Sequence, residues 1–190
     1  MKILIYSTGR SGSGNLCKLL SENLNYKKID EPFNKKLWRN NEYQLNNLYE
    51  NNIVCKCLID DWDYDGSGIK NVNQLFSLFD KVIILTRENT QEQAESLVLA
   101  LNKKRWNHKY FIDESFLFKN KKNINNFINS IKKQNLKLNG LNGLKVTYEG
   151  IYFKKTDIQK IEKYIEFKIN DLSILNIENK FRTYNKQNVL

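Results

Sequence analysis

The sequence feature that most constrains the fold is a glycine-rich turn, residues 8–15, which directly follows the first apolar run. The stretch ILIYSTGRSGSGNLCKLL, residues 3–20, passes from apolar residues into small ones and then into an amphipathic pattern. A strand, a turn rich in Gly and Ser and a helix N-terminus together bind anions, because backbone N–H groups point inward and the helix dipole adds attraction. The stretch therefore predicts a phosphate-binding turn between a first strand and a first helix.

Apolar runs alternate with helical patterns along the rest of the chain. The runs typical of buried strands are Ile3–Tyr6, Ile53–Ile59, Val82–Leu85 and Leu144–Val146. The helical patterns cover Leu16–Leu24, Lys36–Glu50, Val72–Phe79, Gln91–Leu101, Ile124–Leu136 and Asp157–Ile165. This alternation indicates right-handed crossovers and a mainly parallel sheet covered on both faces. We therefore predict one three-layer α/β/α domain over residues 1–190.

Composition indicates where the protein is expected to be located and which kinds of partner it is expected to bind. The first apolar run is too short for a signal peptide, and no later stretch is long enough to span a bilayer, so we expect no membrane insertion. Cys17, Cys55 and Cys57 fit reduced core thiols of a cytoplasmic protein better than disulfides. The formal net charge of +10 predicts a surface that attracts anions, such as nucleic acid, an acidic membrane surface or a phosphorylated small molecule.

The glycine-rich turn departs from the Walker nucleotide loop at two positions. In the pattern G-x-x-x-x-G-K-[ST], Gly9 and Gly14 have the expected spacing, but Asn15 replaces the lysine and Leu16 replaces the magnesium-binding hydroxyl. A kinase with this loop loses its phosphate-bridging cation and its metal anchor together. Arg10 can replace the charge. We therefore predict a phosphate-bearing ligand that is bound without magnesium.

The segment GRSGSGNL, residues 9–16, resembles the donor-binding loop of sulfotransferases, whose donor is 3′-phosphoadenosine-5′-phosphosulfate (PAPS). In carbohydrate-directed and bacterial trehalose-type members this loop reads approximately P-R-[ST]-G-S-[ST]-x-L; here Gly9 replaces the proline and Gly14 replaces a hydroxyl residue. The resemblance implies a P-loop-like fold. It also implies that the donor is bound by Thr8, Gly9, Arg10, Ser11, Gly12, Ser13, Gly14 and Asn15.

Residues 82–101, VIILTRENTQEQAESLVLAL, resemble the family's 3′-phosphate segment, in which a strand ends in Arg and the next helix carries Ser. The resemblance implies that Arg87 and Ser96 hold the 3′-phosphate. An arginine at the carboxyl end of a strand is suited to bidentate recognition of phosphate. The run Q-A-x-S-L-V, followed by Trp106 and His108, is most similar to the trehalose-type bacterial enzymes.

Two segments near the C-terminus complete the resemblance. VTYEGIYFKKTDIQKIEKYI, residues 146–165, is similar to a late strand–loop–helix segment of the family, which implies that Tyr148 lies near the adenine; Gly150 replaces the usual acidic residue. NKFRTYNKQ, residues 179–187, resembles the basic tail that closes over the donor, and it supplies Lys180 and Arg182 as donor contacts.

Sulfuryl transfer to a hydroxyl requires a fixed donor, a base for the hydroxyl proton and a cation for the leaving phosphate oxygen. Arg10 is the cation that we predict beside the 5′-phosphosulfate. In IDEPFNKKLW, Glu31 precedes Pro32, whose ring is expected to hold Glu31 extended. The carbohydrate sulfotransferases carry a similar E-P-[FLY] stretch whose Glu is the proposed base, which implies Glu31 as the base, with Asp30 as an alternative.

Three further predictions concern the acceptor and metal ions. His108, the single histidine, is a second candidate for the base or for an acceptor contact, and Phe33 and Trp106 are candidates to line the acceptor pocket. The stretch DDWDYDGSG, residues 60–68, matches the start of a calcium loop, but Val72 stands where the closing Glu belongs. We therefore predict no metal site.

The sequence favours a metal-independent sulfotransferase that moves a sulfuryl group from PAPS to a hydroxyl of a carbohydrate or another small acceptor. One alternative is a small P-loop kinase, which requires Mg²⁺ and another phosphate-bridging cation. A non-catalytic protein that binds nucleotide or nucleic acid is a second alternative. The sequence contains no RNA-platform, helix-turn-helix or zinc pattern, so nucleic acid is not the expected partner. Because the chain is compact for this family, a homodimer is one way to complete the acceptor pocket.

Overall fold

The computed structural model describes residues 1–33, 47–59, 69–103 and 114–175 of the 190. Five strands lie in these ranges: β1 (Lys2–Ser7), β2 (Lys27–Asp30), β3 (Ile53–Leu58), β4 (Lys81–Thr86) and β5 (Leu144–Thr147). The helices are α1 (Ser13–Leu24), α2 (Val72–Phe76), α3 (Thr90–Lys103), α4 (Glu114–Asn139), α5 (Tyr148–Tyr152) and α6 (Thr156–Ile165).

The five strands form one parallel sheet in the order β2-β3-β1-β4-β5. β1 is central, and its Tyr6 pairs with Cys57 of β3 and with Ile84 of β4. The chain leaves β1 towards β2 on one side of the sheet, and it leaves β4 towards β5 on the other. In open parallel sheets, ligands bind at the carboxyl ends of the strands where the order reverses in this way. The fold therefore puts the glycine-rich turn at the point where the strand order reverses.

Two hydrophobic cores cover the two faces of the sheet. Ile3 and Ile5 of β1 pack with α1, α5 and α6, whereas Leu4 and Tyr6 pack with apolar residues that include Leu75 of α2 and Leu138 of α4. This alternation follows from the period of two along a strand, and burial of both faces explains why β1 and β4 consist almost entirely of apolar residues. The predicted three-layer α/β/α architecture with a parallel sheet is thereby confirmed.

The predicted strands are all present, but the sequence patterns missed two elements. β2 is a four-residue edge strand, KKID, in which only Ile29 is buried, so it lacks an apolar run. The five-residue helix α5 is too short to show a helical period. α4 begins at Glu114 rather than at the predicted Ile124, and the predicted helix Lys36–Glu50 falls mostly outside the described residues.

The longest of the described helices, α4, has 26 residues and is rich in lysine. None of the described helices is both long and apolar enough to cross a bilayer. The three cysteines are free and buried, as predicted. Burial raises the pKa of the Cys17 thiol to about 12, so at neutral pH it packs as a neutral group.

Gly150 occupies a position with no room for a side chain. A Cβ atom there would overlap the carboxylate of Asp157 and lie 2.9 Å from the hydroxyl of Thr147. The same carboxylate accepts the N–H of Thr147 at 2.8 Å and pairs with Lys160 at 2.6 Å. The Asp157 carboxylate therefore occupies the space that a side chain at position 150 would need.

We expect Gly150→Ala to lower the free energy of unfolding by about 2 kcal/mol, because the added methyl group displaces a hydrogen-bonded carboxylate from its buried site. Urea unfolding measures this loss. Gly140→Ala is the matched control, since the nearest atom to its Cβ would be 3.5 Å away, which is an ordinary contact. Equal stabilities of the two variants would contradict the prediction.

Candidate functional site

The glycine-rich turn begins after Ser7, the last residue of β1, and leads directly into α1. Arg10 and Gly12 have φ angles of 60° and 86°, both in the left-handed region. Gly12 is the N-cap residue of α1, and no described side chain caps the helix. The N-terminus of α1 therefore lacks a side-chain cap within the described ranges, and an uncapped helix N-terminus is an arrangement that binds anions.

Gly12 is required by both its conformation and its neighbours. A Cβ atom on Gly12 would lie 2.7 Å from Cδ2 of Tyr148 and 2.8 Å from Cε2 of Tyr152. The hydroxyl of Tyr152 donates to the carbonyl oxygen of Gly12 at 2.7 Å. The two tyrosines of α5 thus pack against the N-cap of α1 and fix its peptide group.

Helix α3 holds the other side of the glycine-rich turn. The side-chain amide of Gln93 donates to the hydroxyl of Thr8 at 2.7 Å and to the carbonyl oxygen of Gly9 at 2.6 Å. One turn further along, the hydroxyl of Ser96 accepts from Nε of Arg10 at 2.9 Å. The resemblance assigned Arg10 to the 5′-phosphosulfate and Ser96 to the 3′-phosphate, whereas here the two side chains are in direct contact.

Sequence reasoning missed Gln93, although one signal was available. Gln93 stands three residues before Ser96 in a helical pattern, so both residues lie on the same face of α3. A polar residue that shares a helix face with a site residue is a candidate for the same site.

Arg87 follows β4 and lies in an anionic and aromatic environment. Its Nη2 is 2.7 Å from the Glu92 carboxylate, and its guanidinium carbon is 4.3 Å from the ring centre of Tyr148. Tyr148 also packs against Tyr152, with the ring centres 4.5 Å apart, and its ring lies beside Gly12. Arg87 is therefore connected to the glycine-rich turn through the ring of Tyr148.

Several buried polar atoms without a hydrogen bond lie at this edge of the sheet. Among the described residues they include Ser7 Oγ at the end of β1, Arg87 Nε just after β4 and Gln93 Oε1 at the start of α3. Buried polar atoms are nearly always hydrogen-bonded in folded proteins. Their concentration at the carboxyl ends of β1 and β4 supports a binding site there.

Lys56 of β3 brings two carboxylates to the start of α1. Its ammonium group is 2.6 Å from Glu31 Oε1 and 2.7 Å from Asp30 Oδ1. The same Nζ atom lies 3.9 Å from the place where a Cβ on Gly14 would be. The predicted base, Glu31, is thereby linked through a lysine to the N-terminal turn of α1.

The backbone of Glu31 differs from the expectation drawn from Pro32. Its φ angle is 48°, which is left-handed and not extended, so that prediction was wrong. β2 ends at Asp30, and the chain turns at the next residue, Glu31. The N–H of Glu31 still donates to the carbonyl oxygen of Lys56 in β3 at 2.9 Å. The turn directs the Glu31 side chain towards the Lys56 ammonium group.

Lys56 remains charged although it is largely buried. Burial is the largest single influence on its pKa and lowers it, but attraction by Asp30 and Glu31 outweighs burial, so the pKa lies above its ordinary value. The pKa of Asp30 lies below its ordinary value, because Lys56 and Lys28 together outweigh the effect of its burial. At neutral pH an ammonium group thus lies next to the α1 N-terminus.

Sequence reasoning also missed Lys56. One signal was available in the sequence: Lys56 is the single charged residue in the strand Ile53–Leu58. A lysine within a buried strand requires a charged or polar partner.

The remaining predicted residues fall into two groups. Phe33 is 1% exposed and packs in the core that contains Tyr6. Ser11 and Ser13 are buried in the glycine-rich turn, with the Ser11 hydroxyl donating to the carbonyl oxygen of Thr8 at 2.8 Å. Outside the described residues lie Trp106, His108, Lys180, Arg182 and the calcium-like stretch 60–68.

No protein-family model matches the sequence, and no curated protein matches it either. Among solved structures, the chain is similar to a sulfotransferase from Alicyclobacillus acidocaldarius (10% identity, TM-score 0.47, covering 94% of this chain and 90% of the other). It is also similar to the mouse sulfotransferase SULT7A1 complexed with PAP (15%, 0.48, covering 100% and 68%). The chain is similar to the same degree to shikimate kinase from Aquifex aeolicus (17% identity, TM-score 0.45, covering 87% of this chain and 96% of the other).

We expect Lys56→Met to lower the free energy of unfolding by about 1–3 kcal/mol at pH 7, because two neighbouring carboxylates lose their shared cation. The loss is moderate because water can solvate the half-exposed Asp30 carboxylate. The pKa of Asp30 is lower in the folded protein than its ordinary value. Its ionised carboxylate therefore stabilises the fold at pH values above the ordinary pKa, and this contribution is lost as pH falls through the folded-state pKa. The difference between variant and wild type should therefore shrink towards about pH 3.5. Urea unfolding at both pH values measures it.

The control for this variant is Lys28→Met. Lys28 pairs with Asp30 at 3.2 Å, but both side chains are more than one third exposed, so little stability should be lost. An equal loss for Lys56→Met at both pH values would indicate packing rather than charge.

Proposed function

We propose that this chain is a PAPS-dependent sulfotransferase that transfers a sulfuryl group to a hydroxyl of a carbohydrate or another small acceptor without a metal ion. The observation that carries the proposal is the position of Lys56, between the carboxylate of Glu31 and the uncapped N-terminus of α1. A base, a cation and an anion-binding turn are the three elements that this transfer requires.

Donor binding is proposed to use groups at the carboxyl ends of both β1 and β4. The first N–H groups of α1 and the guanidinium group of Arg10, held by Ser96, suit the 5′-phosphosulfate. Arg87 is the candidate for the 3′-phosphate. Tyr148 packs against both Arg87 and Tyr152, so we propose that it contributes a ring edge or its hydroxyl, rather than an open face, to adenine binding.

In the proposed reaction, the acceptor hydroxyl gives its proton to the Glu31 carboxylate while the acceptor oxygen forms a bond to sulfur. The bond between sulfur and the 5′-phosphate oxygen breaks in line, and adenosine 3′,5′-bisphosphate leaves. Arg10 and the α1 amides stabilise the charge that develops on the leaving oxygen. Lys56 acts as a cation and not as a base, because its raised pKa keeps it protonated.

The same lysine favours a second candidate function. Lys56 brings an ammonium group to the start of α1, which is where the Walker lysine acts in P-loop kinases. A kinase would still need a magnesium ligand in place of the missing hydroxyl. Leu16, which stands at that position, is fully buried in the core.

Isothermal titration calorimetry separates the two functions. We expect adenosine 3′,5′-bisphosphate to bind in the presence of EDTA, because Arg10, Arg87 and the α1 amides supply positive charge without a metal. Binding of ATP only with Mg²⁺, together with no binding of the bisphosphate, would favour the kinase and reject our proposal.

Glu31→Gln should lower sulfuryl transfer from PAPS about 10²–10⁴-fold and leave the affinity for the bisphosphate nearly unchanged, because the amide cannot take the hydroxyl proton. Asp30→Asn is the matched control, since Asp30 shares the ammonium group of Lys56. Turnover is followed with labelled PAPS and an extract of the host as the acceptor source. If Asp30→Asn lost activity and Glu31→Gln did not, Asp30 would be the base.

A further inference from the structure

Arg87 is already paired with carboxylates of the protein itself. Its Nη2 lies 2.7 Å from Oε2 of Glu92, and its Nε lies 3.9 Å from Oε1 of Glu149. The Arg87 side chain is only 11% exposed, so these charges interact with little screening by water. A phosphate group that approaches Arg87 must therefore contend with two negative charges.

The two carboxylates differ in their exposure and in their bonds to the backbone. Glu149 accepts the backbone N–H groups of Glu88 and Asn89 at 2.9 and 3.1 Å, and its side chain is 12% exposed. These bonds fix Glu149 to the turn between β4 and α3. Glu92 lies in the first turn of α3 with its side chain 26% exposed, so water can solvate its carboxylate if it leaves Arg87.

Arg87 also keeps a donor for a further acceptor. Its buried Nε has no hydrogen bond within the described residues. A guanidinium group offers five N–H donors in a planar fork, and phosphate accepts two of them in parallel. A phosphate that binds through Nε and Nη2 shares Nη2 with Glu92, so the two negative groups compete for the same nitrogen.

We infer that Glu92 is a competing carboxylate that sets the affinity of Arg87 for the second phosphate of the nucleotide. The phosphate exchanges with Glu92, while Glu149 stays on the backbone amides. This inference rests on the proposed function, because it assigns the 3′-phosphate of PAPS and of its bisphosphate product to Arg87. The competition weakens product binding and so favours product release.

The test compares two nucleotides on wild-type protein and on Glu92→Gln by calorimetry. Adenosine 3′,5′-bisphosphate carries the second phosphate, and adenosine 5′-monophosphate does not. Glutamine keeps the size of the side chain and removes its charge, so Glu92→Gln should bind the bisphosphate about five- to tenfold more tightly. Its affinity for the monophosphate should stay within about twofold of wild type.

Two further variants control for charge and for location. Glu22→Gln makes the same change in net charge on the exposed face of α1, where Glu22 pairs with Lys18, and should leave both affinities unchanged. Adding Arg87→Ala to Glu92→Gln should abolish the gain, because the phosphate then lacks its guanidinium partner.

The calorimetric results distinguish a failure of the inference about Glu92 from a failure of the proposed function. If wild-type protein binds the bisphosphate but Glu92→Gln binds it no more tightly, Glu92 does not compete with the phosphate. An equal gain for Glu22→Gln would assign the effect to net charge and would also overturn the inference. If neither wild type nor Glu92→Gln binds the bisphosphate, the proposed function fails, and the inference fails with it.

Discussion

The site depends on the hydrogen bonds that tie the glycine-rich turn to α3. The side chain of Gln93 contacts both Thr8 and Gly9, and Ser96 holds Arg10 one helical turn away. A turn with two residues in the left-handed region needs external contacts to keep a single conformation. Because α3 follows β4, these bonds also fix the position of Arg87 relative to the turn, and they unite both halves of the proposed donor site.

A second constraint is the burial of one lysine in the sheet. Lys56 lies within a strand whose other residues are apolar, so its charge must be paired. Its partners, Asp30 and Glu31, stand at the end of the neighbouring strand β2. The pairing that satisfies the lysine thus also brings a carboxylate to the α1 N-terminus, where the Walker lysine is missing from the turn itself. The same three side chains satisfy the buried charge and, in the proposed reaction, supply the base and a cation.

Sequence patterns predicted the fold in more detail than they predicted the contacts of the candidate site. The apolar runs located four of the five strands, because burial on both faces produces continuous hydrophobic stretches. Resemblance to sulfotransferases selected Arg10 and Ser96, which the structure brings into contact. Lys56 and Gln93 were missed, since neither belongs to a local motif. Their partners are distant in sequence and become neighbours only when the strands are ordered in the sheet.

The amino-acid order alone determined the strand–turn–helix at the N-terminus and the alternation that yields a parallel sheet, because turn chemistry and hydrophobic period act over a few residues. Tertiary structure decided which side chains meet. The strand order β2-β3-β1-β4-β5 places the ends of β2, β3 and α1 together, and so joins Glu31 to Lys56. It also decided that Arg87 is paired with Glu149, which is distant in sequence, because attraction between buried charges depends on distance and burial and not on spacing along the chain.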